Sequence, residues 1–395
     1  MTTQAVYIIA AKRTPVGKAK GHLATVRPDD LMAHSIRAVM AEKPMVDPAL
    51  IDDVIVGCAM PEGAQGMNVA RIATLLAGLP VSVPAMTINR FCASGLQAIA
   101  LAAARIQTGD AQFVLAGGTE SMSQVPMGGF QYSVNPAVFQ DEHLGIAYGM
   151  GMTAEKVAHQ WGITREAQDH YAVESHRRAI EAQQRGAFKT EMVPLEVTLQ
   201  QYQTEKNSIQ ASTLQVEKDQ GPRKDCSIEG LMRLKPVFAR AGSVTAGNTS
   251  QMSDGAACLL LASESMVSRF DLTPLARFVG FEAVGLEPEL MGVGPIYAIP
   301  KLLKKYQLTL SQVDWIELNE AFAAQTLAVC QELSLDMGKV NPQGGAIALG
   351  HPLGATGAIR ATTLLHGLRK QHLKYGMVTM CIGTGMGAAG LFEAL

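Results

Sequence analysis

The chain reads as an α/β protein built on largely parallel sheet, and three observations carry that reading. Short apolar, β-rich runs alternate with helix-period segments over the first 120 residues and again over the last 120. A middle stretch, roughly 122–243, breaks the alternation. Glycine-rich turns then follow several of the strand-like runs. At 395 residues the chain exceeds what one core fills, so two or three packed units are expected. With 48% hydrophobic and only 17% charged residues, it has enough apolar material to bury them.

In chain order, Val6–Ala11 is a strand and Asp29–Ala41, entered through Pro28, is a helix with Leu31, Ile36 and Val39 on one face. Asp53–Gly57 is a buried strand, and Asn68–Leu79 is a helix closed by Gly78 and Pro80. Strand Pro84–Asn89, helix Ser94–Thr108 and strand Gln112–Gly117 complete a βαβαβαβ series. The middle stretch holds an irregular Gly/Met/Pro-rich part, amphipathic helices Thr153–Trp161 and Thr164–Arg185, and a polar segment around 200–227. Strand Ala256–Ala262 is expected to rejoin the first sheet. The second half runs strand Ala276–Val284, helix Ile296–Tyr306, strand Trp315–Leu318 and helix Ala321–Glu332. A Gly-rich turn over Asn341–Gly357, helix Ala358–Leu373, strand Met377–Cys381 and another Gly-rich loop follow. Ala49-Leu-Ile-Asp-Asp-Val-Ile beside Leu310-Ser-Gln-Val-Asp-Trp-Ile suggests an internal duplication. The expected units are 1–121 with 244–271, an insertion at 122–243, and 272–395.

The formal net charge of −2, with no basic stripe, argues against nucleic acid or an anionic membrane as partner, although Arg223 and Lys224 could meet a phosphate. Six cysteines lack metal-ligand spacing, and no secretory prefix or membrane-length apolar run is visible. Free thiols in a cytoplasmic setting are the expectation.

Two of those thiols are framed by small residues, and they are expected at corresponding positions of the two halves. Cys92, in Asn-Arg-Phe-Cys-Ala-Ser-Gly, follows a strand and precedes a helix whose positive end would favour thiolate. Cys381, in Met-Cys-Ile-Gly-Thr-Gly-Met-Gly, meets glycines whose N–H groups could converge on an oxygen. Alone, Cys381 reads as core as readily as catalytic; its pairing with Cys92 tips the balance. His351 lies among small residues, where an imidazole serves as a base or hydrogen-bond donor more readily than as packing. Asn319, in Asn-Glu-Ala-Phe-Ala-Ala-Gln, ends a strand before a helix, so capping and holding a water or substrate oxygen are both open.

Taken together, the motifs around Cys92, Asn319, His351 and Cys381 resemble those of thiolases over essentially the whole length. The resemblance implies two βαβαβαββ halves packed face to face as an α-β-α-β-α core with an inserted loop domain. It implies reversible CoA-dependent thiolysis of 3-ketoacyl-CoA, with CoA as cosubstrate and no metal or other cofactor. It makes Cys92 the acyl-carrying nucleophile, Cys381 the acid/base, and His351 with Asn319 the holders of one oxyanion. The N–H groups of Cys92 and Gly383 would hold the other. Ala246 and Ser250 would contact pantetheine, Leu234 and Phe238 would pack near adenine or pantetheine, Arg223 would approach the phosphates, and Met150 would line the acyl pocket. From residues alone, Leu234 and Phe238 read as ordinary core.

Short-chain biosynthetic members commonly carry His-Met-Gly before Thr-Ala-Glu; here the stretch is Gly149-Met150-Gly151-Met152-Thr153. That resembles degradative, β-oxidation-type members and predicts acyl chains beyond acetoacetyl-CoA. A short-chain acetyl-CoA acetyltransferase, a ketoacyl synthase, a non-catalytic lipid carrier and a disulfide oxidoreductase are the alternatives; Cys381 argues against the synthase. A homodimer or homotetramer, some members adding a hydratase/dehydrogenase subunit, is the assembly implied.

Overall fold

The computed structural model describes residues 4–141, 149–203 and 207–395. Its strands are β1 (Val6–Arg13), β2 (Gly17–Lys18), β3 (Asp53–Gly57), β4 (Ala85–Ile88), β5 (Phe113–Ser121), β6 (Leu195–Gln203), β7 (Ser208–Val216), β8 (Ser253–Ser263), β9 (Ala276–Gly285), β10 (Trp315–Leu318), β11 (Tyr375–Ile382) and β12 (Met386–Ala394). The helices are α1 (Pro28–Ala41), α2 (Val69–Leu76), α3 (Ser94–Gln107), α4 (Met150–Gln160), α5 (Arg165–Gln184), α6 (Ile228–Met232), α7 (Glu264–Arg269), α8 (Gly294–Lys305), α9 (Ala323–Glu332), α10 (Ala346–Leu349) and α11 (Leu353–Gln371).

The duplication is visible in the topology. In the first half the strand order is β4-β3-β5-β8-β1; in the second it is β10-β11-β12-β9. Parallel β3–β5 matches parallel β10–β11, and antiparallel β5–β8 matches antiparallel β11–β12. In place of a second β4, Val340 makes a single parallel bridge to Ile316. The repeated phrase serves one purpose twice. Asp52 Oδ2 accepts from the backbone N–H groups of Gln112 and Phe113, and Asp314 Oδ2 accepts likewise from Lys374 and Tyr375. The halves meet where β1 pairs β9, Tyr7 opposite Arg277.

Helices α3 and α11 pack on one another between the two half-sheets. Fifteen of the nineteen residues of α11 are buried, so this helix can only be interior. Glycines set the approach: a Cβ on Gly95 would lie 2.8 Å from Ala358 N, and one on Gly357 would lie 2.4 Å from Leu96 N. One core cluster surrounds this layer, a second lies under α1 and α2, and a third lies under α8 and α9. Those clusters separate five layers, α-β-α-β-α.

Three expectations are corrected. The polar segment around 200–227 contains much of a β6–β7 hairpin, whose inward Val197 and Val216 are buried while Glu196 and Thr198 face water. The turn expected over 341–357 holds α10 and the first turn of α11, because Gly354 and Gly357 act there as contact points rather than breakers. The loop after Cys381 ends at Gly385, and Gly387 belongs to β12, where its missing side chain admits Gly294.

Candidate active site

Cys92 is presented by a sharp strand-to-helix turn. Between β4 and α3, Phe91 takes the left-handed conformation with φ 45°, unusual for a bulky residue. Local hydrogen bonds hold it: Asn89 Oδ1 accepts from Phe91 N–H at 2.8 Å, and Ser94 Oγ accepts from Arg90 N–H at 2.8 Å while donating to Phe91 C=O at 2.7 Å. Gly57 lets β3 press against this turn, since a Cβ there would lie 2.3 Å from the Ser94 carbonyl carbon.

Cys92, only 4% exposed, forms part of the wall of a cavity of about 550 Å³ together with Met150 and Gly383. The backbone N–H groups of Gly383 and of Cys92 itself favour its thiolate. The helix-end argument for a resting thiolate is overturned: burial outweighs those donors and pushes the thiol up to about 11. The protein stores this nucleophile as a protonated thiol.

His351 follows Gly350, whose φ of 97° turns the chain ahead of α11. Its backbone N–H bonds to Gln251 C=O and Ser253 Oγ, each at 3.1 Å. The ring is fixed at both nitrogens, Nδ1 to Thr356 Oγ1 at 2.6 Å and Nε2 to Asn319 Nδ2 at 3.4 Å. Burial, with Arg360 contributing, lowers the imidazole to about 3, so it is neutral at physiological pH. Asn319 does not cap a helix, since α9 starts at Ala323. Its N–H bonds to Thr379 C=O in β11 and its buried Oδ1 has no hydrogen-bond partner among the described residues, leaving an acceptor free for a ligand.

Cys381 is the penultimate residue of β11 and is 1% exposed. Burial raises its thiol far above the usual range, and Cys92 lies near enough to raise it further. The two cysteines do not occupy corresponding positions. Asp53 pairs with Val114 as Trp315 pairs with Gly376, and that register equates Cys381 with Thr119 and Asn319 with Gly57. The counterpart of the Cys92 turn, just before a central helix, is the turn carrying His351. Local glycine content resembles symmetry; strand register defines it.

The other candidates divide between two places. Arg223, Leu234 and Ala246 line a second cavity of about 420 Å³ with Lys18 and His176. Phe238 stands edge-on to Phe322 with centroids 6.2 Å apart, against Gly151. Ser250 donates its N–H to Ala321 C=O at 3.0 Å. Neither of these two lines the second cavity.

Four supporting residues escaped sequence reasoning. Thr356 fixes the His351 ring. Glu120 is wholly buried and accepts from Ala59 N–H (2.7 Å), Met60 N–H (3.2 Å), Gln65 Nε2 (2.7 Å) and Gly354 N–H (2.8 Å), tying the cavity wall to the start of α11. Glu320 accepts from Tyr171 OH, Ser175 Oγ, Asn341 Nδ2 and Ile347 N–H, joining the insertion to the segment before His351. His176 Nδ1 accepts from Arg223 N–H at 3.1 Å, and burial lowers that imidazole to about 4. For the two glutamates a signal existed: a carboxylate at the end of an otherwise apolar strand needs donors inside.

Family models match nearly all of the chain in two parts, the thiolase N-terminal domain over residues 6–265 and the thiolase C-terminal domain over 272–394. A 3-ketoacyl-CoA thiolase of Bacillus subtilis is 47% identical over 387 residues, 98% of either chain. A β-ketoadipyl-CoA thiolase of Acinetobacter baylyi is 47% identical over 404 aligned positions, again covering 98% of both. The crystal structure of human mitochondrial 3-ketoacyl-CoA thiolase superposes with a TM-score of 0.90 at 38% identity, covering 100% of each chain. With matches of this extent and a fold of two interlocked halves, the chain belongs to the thiolase family.

Proposed function

We propose that the chain cleaves 3-ketoacyl-CoA with CoA, giving acetyl-CoA and a shortened acyl-CoA, through an acyl-enzyme on Cys92. The observation that carries this reading is that Cys92 and Gly383 share the wall of an apolar cavity with Leu353, two residues beyond a neutral His351 fixed by Thr356 and Asn319. A neutral imidazole can take the Cys92 proton as sulfur attacks the 3-keto carbon. The N–H groups of Cys92 and Gly383 then face the oxyanion, each such donor being worth about 2.7–4 kcal/mol. Breaking the C2–C3 bond leaves the acetyl-CoA enolate, whose oxygen is stabilised by His351 and a water on Asn319. Cys381 delivers its proton to C2 and so becomes a thiolate. That thiolate removes the proton of incoming CoA, whose sulfur attacks the acyl group, and Cys92 leaves with the proton held by His351. Protons balance over the cycle, and thioester exchanges for thioester, so the reaction runs both ways.

CoA would lie along the second cavity, with Arg223 and Lys18 towards its phosphates and Leu234 and Ala246 along the pantetheine. No metal or other cofactor belongs to this scheme. Degradative use, with chains longer than four carbons as in β-oxidation, is favoured by the roomy first cavity and by Gly149 in its wall. Among the described residues, a Cβ on Gly149 would touch nothing within 4 Å. A cytoplasmic setting, homo-oligomeric assembly and a hydratase/dehydrogenase partner complete the proposal. Among the described residues no helix is long and apolar enough to cross a membrane.

Rapid mixing with acyl-CoA tests the acyl-enzyme. The expected result is a burst of free CoA stoichiometric with protein, abolished in Cys92→Ala. A burst that survives in that variant would assign the nucleophile elsewhere.

A further inference from the structure

Equal identity to thiolases named for 3-ketoacyl-CoA and for β-ketoadipyl-CoA leaves the charge of the acyl tail undecided. The cavity beside Cys92 decides it. Its wall is formed by Met60, Met127, Val134, Met150, Met291 and Leu353, thioether and aliphatic groups that mould around a hydrocarbon. Apart from Tyr132, whose ring stands 70% exposed at the rim, its polar side chains among the described residues are engaged. Asn89 spends its side chain on Ala59 C=O and Phe91 N–H, Thr153 Oγ1 donates to Met150 C=O, and Thr384 Oγ1 donates to Gly383 C=O.

No Lys, Arg or His is among the described lining residues; Arg90, flanked by two of them, is not one. From residue 106 to residue 155 the sequence has neither Lys nor Arg, and its one histidine there, His143, lies outside the described residues. Among the described lining residues the single carboxylate is Glu62, half-buried, with Oε2 accepting from Phe130 N–H at 2.6 Å. Gly129 packs so closely that a Cβ there would lie 2.3 Å from Glu62 Oε1. Glu62 is thus held in place by the turn it supports.

We infer that this site selects 3-ketoacyl-CoA with an uncharged, apolar tail and rejects tails ending in a carboxylate, with Glu62 as a specificity-determining residue. The inference rests on the thiolase reading above. A tail carboxylate would lose water against methionine and leucine and find no cationic partner among the described lining residues in exchange. It would also meet the Glu62 charge, and like charges in a partly desolvated pocket repel more than in water. A terminal methyl loses nothing of this kind.

The test compares purified enzyme on two six-carbon substrates that differ only at the tail, 3-ketohexanoyl-CoA and 3-ketoadipyl-CoA. Wild type is expected to favour the methyl-ended substrate by at least about 100-fold in kcat/KM, as a pocket without a cationic partner rejects a charged group. In Glu62→Gln, which keeps an acceptor for Phe130 N–H, and in Glu62→Lys, the ratio should move towards the carboxylate-ended substrate by about tenfold or more. The ratio is read because it cancels general losses of activity. Comparable kcat/KM for both substrates in wild type would overturn the inference while leaving the thiolase reading intact. A ratio unchanged in both variants would remove Glu62 from it. Cleavage of neither substrate would overturn the thiolase reading and the inference together.

Discussion

At the scale of single residues, the site is built from ordinary groups stripped of water. Burial, the largest cause at each, shifts Cys92 up to about 11 and His351 down to about 3, so the resting pair is thiol and imidazole rather than thiolate and imidazolium. One consequence concerns pH. The unfolded chain protonates His351 near its usual value, whereas the folded protein resists until about pH 3, so the unfolded state holds more protons between those limits. Stability from this group therefore rises with pH across that window and is lost as pH falls below about 6.5. Urea midpoints at pH 7 and pH 5 should diverge more for wild type than for His351→Asn; equal divergence would count against a neutral buried ring. A second consequence concerns substrate length. In Gly149→Leu the added side chain meets none of the described residues at the cavity wall, and its φ of −58° suits any residue. Thiolysis of 3-ketodecanoyl-CoA should fall by about tenfold relative to acetoacetyl-CoA. An unchanged chain-length profile would show that the acyl tail does not pass this wall.

At the scale of elements, the insertion is fastened to the first strand by a buried ionic knot. Arg13 at the end of β1 bonds to Glu191 and makes a two-pronged contact with Asp219, at 2.7 and 3.0 Å, while Phe188 covers its guanidinium. Asp219 leads directly into Gln220, Gly221 and Arg223 of the second cavity. Removing the cation in Arg13→Met leaves two buried carboxylates without their partner, a loss of about 3–5 kcal/mol. Thermal unfolding should register it as a lowered Tm, and KM for CoA should rise as the 219–223 wall loosens. An unaltered KM would detach the knot from CoA binding. Among the elements, long periodic helices and apolar strands were legible, with ends within a few residues. The β6–β7 hairpin was not, because its Gln- and Thr-rich outer face dilutes the alternation that Val197 and Val216 carry. The start of α11 was hidden because glycine normally signals a break, and only packing against α3 and β3 reveals why Gly354 and Gly357 are helical.

At the scale of the whole molecule, one edge of the large sheet is left open. Strand β4 has β3 on one side only, and it carries Met86 at 38% exposure between Val81 at 81% and Met67 at 95%. Open edges with apolar flanks invite pairing with another chain. Light scattering should give the mass of a dimer or a multiple of it, and Met86→Lys should shift the distribution towards monomer; a monomeric wild type would leave the edge without a partner.

The sequence by itself determined the class of fold and the duplication and named the candidate reactive groups, because these follow from local periodicity and from side-chain chemistry that does not depend on surroundings. It could name Cys92, Asn319, His351 and Cys381 but not their protonation. It also matched the two thiols to each other, when register matches Cys92 to the His351 turn. Those matters were decided only by tertiary structure. Desolvation, pairing between distant strands and the lining of a cavity are properties of what surrounds a residue, and residues hundreds of positions away supply the surroundings.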